Sequence, residues 1–323
     1  MDMSIATLRD RLEASQIGLY FAALTVGAGI GALMPGTSAW EAAITPALAL
    51  MLFMTFLQVP LAELGRAFQQ TRFLAVLLAA NFVVVPAIVA ILLPLAPDDA
   101  MVRLGVLLVL LTPCIDYVVT FAHLGRADAR ILLAATPLLL IAQMLVLPLQ
   151  LRLFLGADAA RLVEPGPFLH AFVWLIAVPL AMAAVVQLWT RRSKRAERAA
   201  AASGTMPVPA TALVLLIVAA AVTPQLGQAI GPALGVLPIY LAFAAIAPLL
   251  GWGAARLARL DPPAGRAVAF SAATRNSLVV LPLALAVPGA VPLLPAIIVM
   301  QTMIELLAEL VYIRAIPMLG RSR

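Results

Sequence analysis

A helix-breaking proline, the chain's only cysteine and an aspartate fall within four consecutive positions, Pro113 to Asp116, of the apolar run LTPCIDYVV at 111–119. A second run, SAATRNSLVV at 271–280, sets Ser271, Thr274, Arg275, Asn276 and Ser277 among hydrophobic residues. These side chains have chemistries suited to holding a small solute. A thiolate at Cys114 is a ligand for soft metalloids. A buried carboxyl at Asp116 takes up and releases a proton as its surroundings change. The Arg275 guanidinium, always charged, suits a carboxylate or an oxyanion. Thr112, Thr120, Ser271, Thr274, Asn276 and Ser277 offer donors and acceptors to line a cavity. A plainer reading stands beside each. A buried cysteine is a small apolar filler, and Asp116 and Arg275 make an interhelical salt bridge that only fixes packing. Single hydroxyls and amides bond neighbouring membrane helices for about 0.6 kcal/mol each. An ionised side chain at the bilayer centre costs roughly 2.5–3.5 kcal/mol on insertion scales, so intramembrane charge is first of all a functional candidate.

The elements that must position these residues are membrane helices. The 323 residues are 64% hydrophobic and 11% charged, with mean hydropathy +1.07. Soluble domains carry about 25% charged residues, so a water-soluble fold of this composition could not cover its surface. A polytopic membrane protein is expected, and its net charge of +6 sets orientation and does not point to nucleic acid. One cysteine excludes an internal disulfide and a cysteine-cluster metal site. The N-terminus, MDMSIATLRDRLEAS, has charges of both signs and no short apolar core before a small-residue cleavage site, so the first span is expected to be retained.

Windows of about 20 apolar residues divide the chain into ten expected spans at 17–34, 42–60, 73–95, 101–124, 130–155, 168–189, 207–223, 235–256, 264–287 and 290–313. VTPQLGQAIGPALG, after the seventh, reads as a loop with one helical turn. With both termini cytoplasmic, all 21 basic residues but Arg103, Arg152, Arg161 and Arg275 fall at cytoplasmic ends. The basic stretch RRSKRAERAAAASG at 191–204 is then a solvated inside loop; contact with anionic headgroups is the alternative. Five spans on either side of residue 160 give an inverted five-plus-five repeat. Polar spacings agree with it: Asp116 and Arg275 are 159 residues apart, and Gln143 and Gln301 are 158 apart.

Pro113 removes a backbone donor and collides with the carbonyl four residues back, so span 4 is expected to unwind over Thr112–Asp116. Span 9 is expected to break at its polar cluster, on polarity and symmetry. Half-helix N-termini attract anions, while their C-termini and freed carbonyls attract cations. The expected site therefore lies between Asp116 and Arg275. Substrate contacts are assigned to Cys114, Asp116, Arg275, Asn276, Ser277, Thr112 and Thr274, and ion coupling to Asp116, Ser271, Gln143, Gln301 and Glu305. Asn81 is a weaker candidate. Glu305 and Glu309 share one helix face, as an inner ion pathway or as interfacial carboxylates. His123 and His170 fit span ends better than a metal site. No cofactor, resident metal or catalytic residue is expected, because no paired aspartates, Ser–His dyad or zinc-type His–Glu spacing falls within the spans. A channel would need rings of like charge or a carbonyl filter.

The chain resembles the bile acid/sodium symporter superfamily, which includes the arsenite efflux permeases. The resemblance covers nearly the whole chain and lies in the ten spans, the five-plus-five plan and the two special spans. It implies an all-α membrane fold in which a core domain (spans 3–5 and 8–10) packs against a panel domain (spans 1, 2, 6 and 7), with spans 4 and 9 broken and crossing at the substrate site. Residues 1–60 and 159–223 would then be panel, and 61–158 and 224–323 core. The nearest local likeness is to the arsenite branch. In CIDYVVTFAHLGRAD, Cys114 stands fourteen residues before Asp128 and takes the place of the cysteine needed for arsenite transport. QTMIELLAELVYIRAIPML is similar to span 10 of bacterial arsenic-resistance members. Two departures stand out. Sodium-coupled relatives carry a glutamate and a glutamine before the span 9 asparagine, where this chain has Ser271 and Arg275, and a fixed guanidinium there repels sodium. The arsenite permeases' glutamate after that asparagine is Val279 here. The implied activity is proton-coupled arsenite-type efflux across a bacterial-type inner membrane. The alternative is a sodium- or proton-coupled symporter of a small organic anion.

Overall fold

The computed structural model describes residues 2–58, 70–115, 117–159, 166, 169–170, 173–190, 203–285, 287–290 and 292–320. Asp116 and most of the basic 191–204 loop lie outside them. In chain order the helices are α1 (Asp2–Leu33), α2 (Glu41–Gln58) and α3 (Thr71–Ala79), which passes through a π-helical turn at Ala80–Val84 into α4 (Val85–Leu92). There follow α5 (Ala100–Leu110), α6 (Val118–Leu124), α7 (Ala129–Ala159), α8 (Val178–Thr190), α9 (Pro207–Val222), α10 (Leu226–Gly235), α11 (Leu237–Leu257), α12 (Pro262–Ala273), α13 (Ser277–Leu285) and α14 (Leu293–Ala315). Among the described residues there is no strand, only one isolated antiparallel bridge, between Pro113 and Arg275.

Among the described residues seven segments are long and apolar enough to cross a membrane: Ala14–Leu33, Thr37–Leu57, Thr71–Leu95, Ala129–Gly156, Pro207–Gln225, Ala229–Leu257 and Leu293–Met318. The chain is a multi-pass membrane protein. Three expected spans are not among the seven: 168–189 lies partly outside the described residues and gives only the shorter apolar helix Val178–Thr190, and 101–124 and 264–287 are each divided. Helix α5 stops at Leu110 and α6 begins at Val118; α12 stops at Ala273 and α13 begins at Ser277. One expectation is corrected. VTPQLGQAIGPALG is mostly helix, as α10, despite Gly227, Gly231 and Pro232. Its small residues Ala229 and Ala233, one turn apart, are buried, and unpaired backbone in an apolar medium costs more than poor helix formers do.

Two compact units form, Met1–Leu61 with Pro165–Gln228 and Ala62–Glu164 with Ala229–Arg323. In the first, α1 packs along α9, which also meets α2, and α8 lies on α2. The α1–α9 contact is backbone-close. A Cβ on Gly27 would stand 2.4 Å from the Leu216 carbonyl oxygen, and one on Gly31 2.6 Å from that of Ala220. This is the small-xxx-small device by which membrane helices, lacking a hydrophobic drive between them, gain dispersion contact. In the second unit, α12 lies against α3, α6, α7 and α11, while α14 packs on α5, α6, α11 and α13. Aspartates start two of its helices. Asp99 Oδ1 accepts from the amides of Met101 and Val102 at 2.8 and 3.0 Å, and Asp128 Oδ1 from those of Arg130 and Ile131, both at 3.2 Å.

Gly31→Val is expected to lower the thermal unfolding midpoint of the purified protein by the equivalent of about 1–3 kcal/mol of overpacking. Gly29→Ala, with nothing within 4 Å of its Cβ, is the matched control and should leave the midpoint unchanged.

Candidate functional site

The two interrupted segments meet. The Cys114 amide donates to the Thr274 carbonyl at 3.0 Å, and the Asn276 amide donates to the Thr112 carbonyl at 2.8 Å. Pro113 and Arg275 therefore face each other as the non-hydrogen-bonded pair of an antiparallel bridge. That is the one register in which proline's missing N–H is not needed by the partner strand. The break in α12–α13 has no proline of its own. It persists because its freed backbone groups are taken by the segment that Pro113 opened.

Side chains complete the accounting. The Arg275 amide, pointing away from the bridge, donates to Glu305 Oε2 at 2.7 Å. The Tyr117 hydroxyl lies 2.5 Å from Glu305 Oε1 and 3.3 Å from the Arg275 carbonyl oxygen. Gln301 Nε2 donates to Glu305 Oε2 at 2.6 Å. The Thr274 hydroxyl is shared between Glu309 Oε1 at 2.7 Å and the Phe270 carbonyl at 2.8 Å. Both acids of α14 are thus bonded to the interrupted backbone or its side chains, and both are buried.

The Arg275 side chain is fully buried. Its guanidinium donates through Nη2 to Asn81 Oδ1 at 2.9 Å and to the Ser271 carbonyl, and through Nη1 to the Leu110 carbonyl at 3.4 Å. The Phe243 ring covers it, 5.6 Å from Cζ to the ring centroid. Among the described residues no carboxylate lies within ion-pair distance of it. Asn81 reaches this point because Pro86 cannot donate to the turn before it, and the helix widens there into the π-turn. The Asn81 amide nitrogen also donates to Ser271 Oγ at 2.9 Å.

Of the residues expected at the site, Thr112, Cys114, Ser271, Thr274, Arg275, Asn276, Gln301 and Glu305 are brought together by these bonds. Ser277 opens α13, with its Oγ 2.9 Å from the Thr302 hydroxyl. Cys114 is completely buried. Asn276 Oδ1 faces the Val279 amide at 3.4 Å as an N-cap of α13, and its Nδ2 is buried with no partner among the described residues. Gln143 is buried on α7, and neither amide atom has a partner among the described residues. Asp116 lies outside the described residues. Tyr117, Phe243 and Asn81 carry contacts that the polar pattern undervalued. An aromatic beside a proline break was the available signal for Tyr117. A cavity of about 10 Å³, room for one water, is lined by Leu110, Tyr240, Phe243, Gln301, Glu305 and Tyr312.

Two discontinuous membrane helices whose open backbones meet in a buried polar centre are the construction of a membrane transport protein. The sequence profile of the Sodium Bile acid symporter family matches residues 45–230, more than half of the chain, and the chain belongs to that family. The match includes the Thr112–Cys114 segment and ends before the Thr274–Asn276 segment. No curated protein matches the chain.

Glu305→Ala leaves the buried Arg275 amide without an acceptor and should destabilise the protein by about 1–3 kcal/mol. Glu305→Gln keeps an acceptor oxygen and should melt nearer to wild type. Differential scanning fluorimetry of the three proteins decides this, and equal losses for both variants would remove the backbone role given to Glu305.

Proposed function

We propose that this chain is a proton-driven secondary active transporter that carries a small anion through the crossing of its two broken helices. The observation that carries this reading is the start of α13 inside the protein. Its first turn opens at Ser277 in the buried centre, with the Asn276 side-chain amide nitrogen beside it buried and, among the described residues, unpartnered. Free N–H groups and the positive end of a helix at half depth favour a negative charge. Asp116 and Glu305 are the proton carriers, with Glu309 next along the same helix. The ten spans act as an inverted repeat, spans 3–5 and 8–10 forming a core that alternates access relative to a panel of spans 1, 2, 6 and 7. The membrane is a bacterial-type inner membrane with both termini inside.

A second reading, arsenite-type metalloid efflux, is supported by Cys114. It lies in the crossing itself, its amide bonded to the Thr274 carbonyl, where a thiolate is the ligand of choice for a soft metalloid. Family membership also fits a sodium-coupled symporter of bile acid type, and the same experiment separates that case.

Proteoliposomes with an imposed pH gradient are expected to accumulate a labelled small carboxylate without sodium. Asn276→Leu should weaken apparent affinity about tenfold or more, the equivalent of one lost hydrogen bond to a charged group. Cys114→Ser should leave carboxylate uptake intact. Uptake of arsenite alone, abolished by Cys114→Ser, moves the assignment to the second reading; uptake that follows sodium and ignores pH removes proton coupling.

A further inference from the structure

The Arg275 guanidinium lies where two half-helices end. Leu110 is the last residue of α5, and Ser271 is in the last turn of α12. The carbonyls of both accept from the guanidinium, and Asn81 Oδ1 on the π-turn supplies a third oxygen. Carbonyls at helix C-termini lack intrahelical donors and carry the negative end of the helix dipole. In transporters with discontinuous helices, such carbonyls and half-helix C-terminal ends hold the coupling cation. Here the oxygens close on a cation that belongs to the chain. It is shut in by the Phe243 face, and among the described residues it has no carboxylate in ion-pair contact.

We propose that the Arg275 guanidinium is a resident cation: it permanently fills the oxygen cage at the joined C-terminal ends of α5 and α12, excludes sodium from it, and leaves a monovalent-cation site when it is removed. A guanidinium cannot be deprotonated under working conditions and cannot leave its backbone. The cage then keeps one positive charge in every state of the transport cycle, which a dissociating ion would not provide. The inference rests on reading the crossing as the transport site, not on which substrate passes it.

The test uses the full chain, purified and reconstituted, in sodium, potassium or choline chloride at constant ionic strength. Wild type should unfold at the same temperature in all three and show no saturable binding of radioactive sodium. Arg275→Ala and Arg275→Gln should unfold at a higher temperature in sodium than in choline and bind sodium saturably. Millimolar guanidinium should stabilise Arg275→Ala and displace the bound sodium. Saturable sodium binding by wild type overturns the proposal, as does a folded Arg275→Ala that is indifferent to sodium, potassium and guanidinium alike. If neither variant folds, the wild-type arm decides in either direction. No substrate enters these measurements. Failure to transport a carboxylate or arsenite therefore leaves a positive result standing, and a sodium-binding wild type leaves the anion site at α13 untouched.

Discussion

Every break in a membrane helix must find partners for the backbone groups it frees, and here two breaks supply each other. The amides of Cys114 and Asn276 reach the carbonyls of Thr274 and Thr112. The register puts Pro113 where no N–H is required, so the residue that opens the first helix does not weaken the contact that closes the gap. The outward-facing groups of Arg275 would still be stranded in an apolar interior. Glu305 and Tyr117 take them. The carboxylate on α14 is thus tied to the presence of the crossing, which accounts for an acid buried in the middle of a 23-residue membrane helix.

A full positive charge in the same interior is accommodated differently. Oxygens from three elements surround the guanidinium, and two of the three are main-chain carbonyls. Carbonyls present partial charge without needing protonation or a counter-ion, so they stabilise the cation at little desolvation cost of their own. The guanidinium's donors are spent on Asn81, Ser271 and Leu110, so the helix start at Ser277 is the other polar end in the crossing. Helix C-terminal carbonyls and a helix N-terminus are thereby set apart along the crossing.

Much of this was legible in the amino-acid order, and the reasons differ by residue. Pro113 announced its break because proline's stereochemistry is local. The polar cluster at 271–277 announced the second, since polar side chains in apolar runs are costly unless they meet partners. The partners themselves were not legible. Glu305 meets Arg275 through a main-chain amide, and no side-chain pattern reports where a freed amide will point. Asn81 looked like an ordinary single amide, because its reach depends on a π-turn set by Pro86, five residues further along. Asp128, notable for its distance from Cys114, takes its place as a helix cap, a role that spacing from a cysteine cannot reveal. The helix at Leu226–Gly235 was masked by glycine and proline, whose penalties are calibrated in water, where unpaired backbone is cheap.

The mutual bonding also constrains how such a centre can move. Opening the crossing would expose two amides and two carbonyls at once, each costly in an apolar medium, and would release the Arg275 amide from Glu305. Local unwinding is therefore a poor means of exposing the site. The interrupted segments of α5–α6 and α12–α13 behave as one body, joined through the bridge and held to α14 by Glu305 and Glu309. Any rearrangement that keeps these bonds must carry this body whole. Protonation of either acid would bear on this body directly, because a carboxyl oxygen that takes a proton becomes a donor and competes with the bonds it accepts from the Arg275 amide, the Tyr117 hydroxyl or the Thr274 hydroxyl.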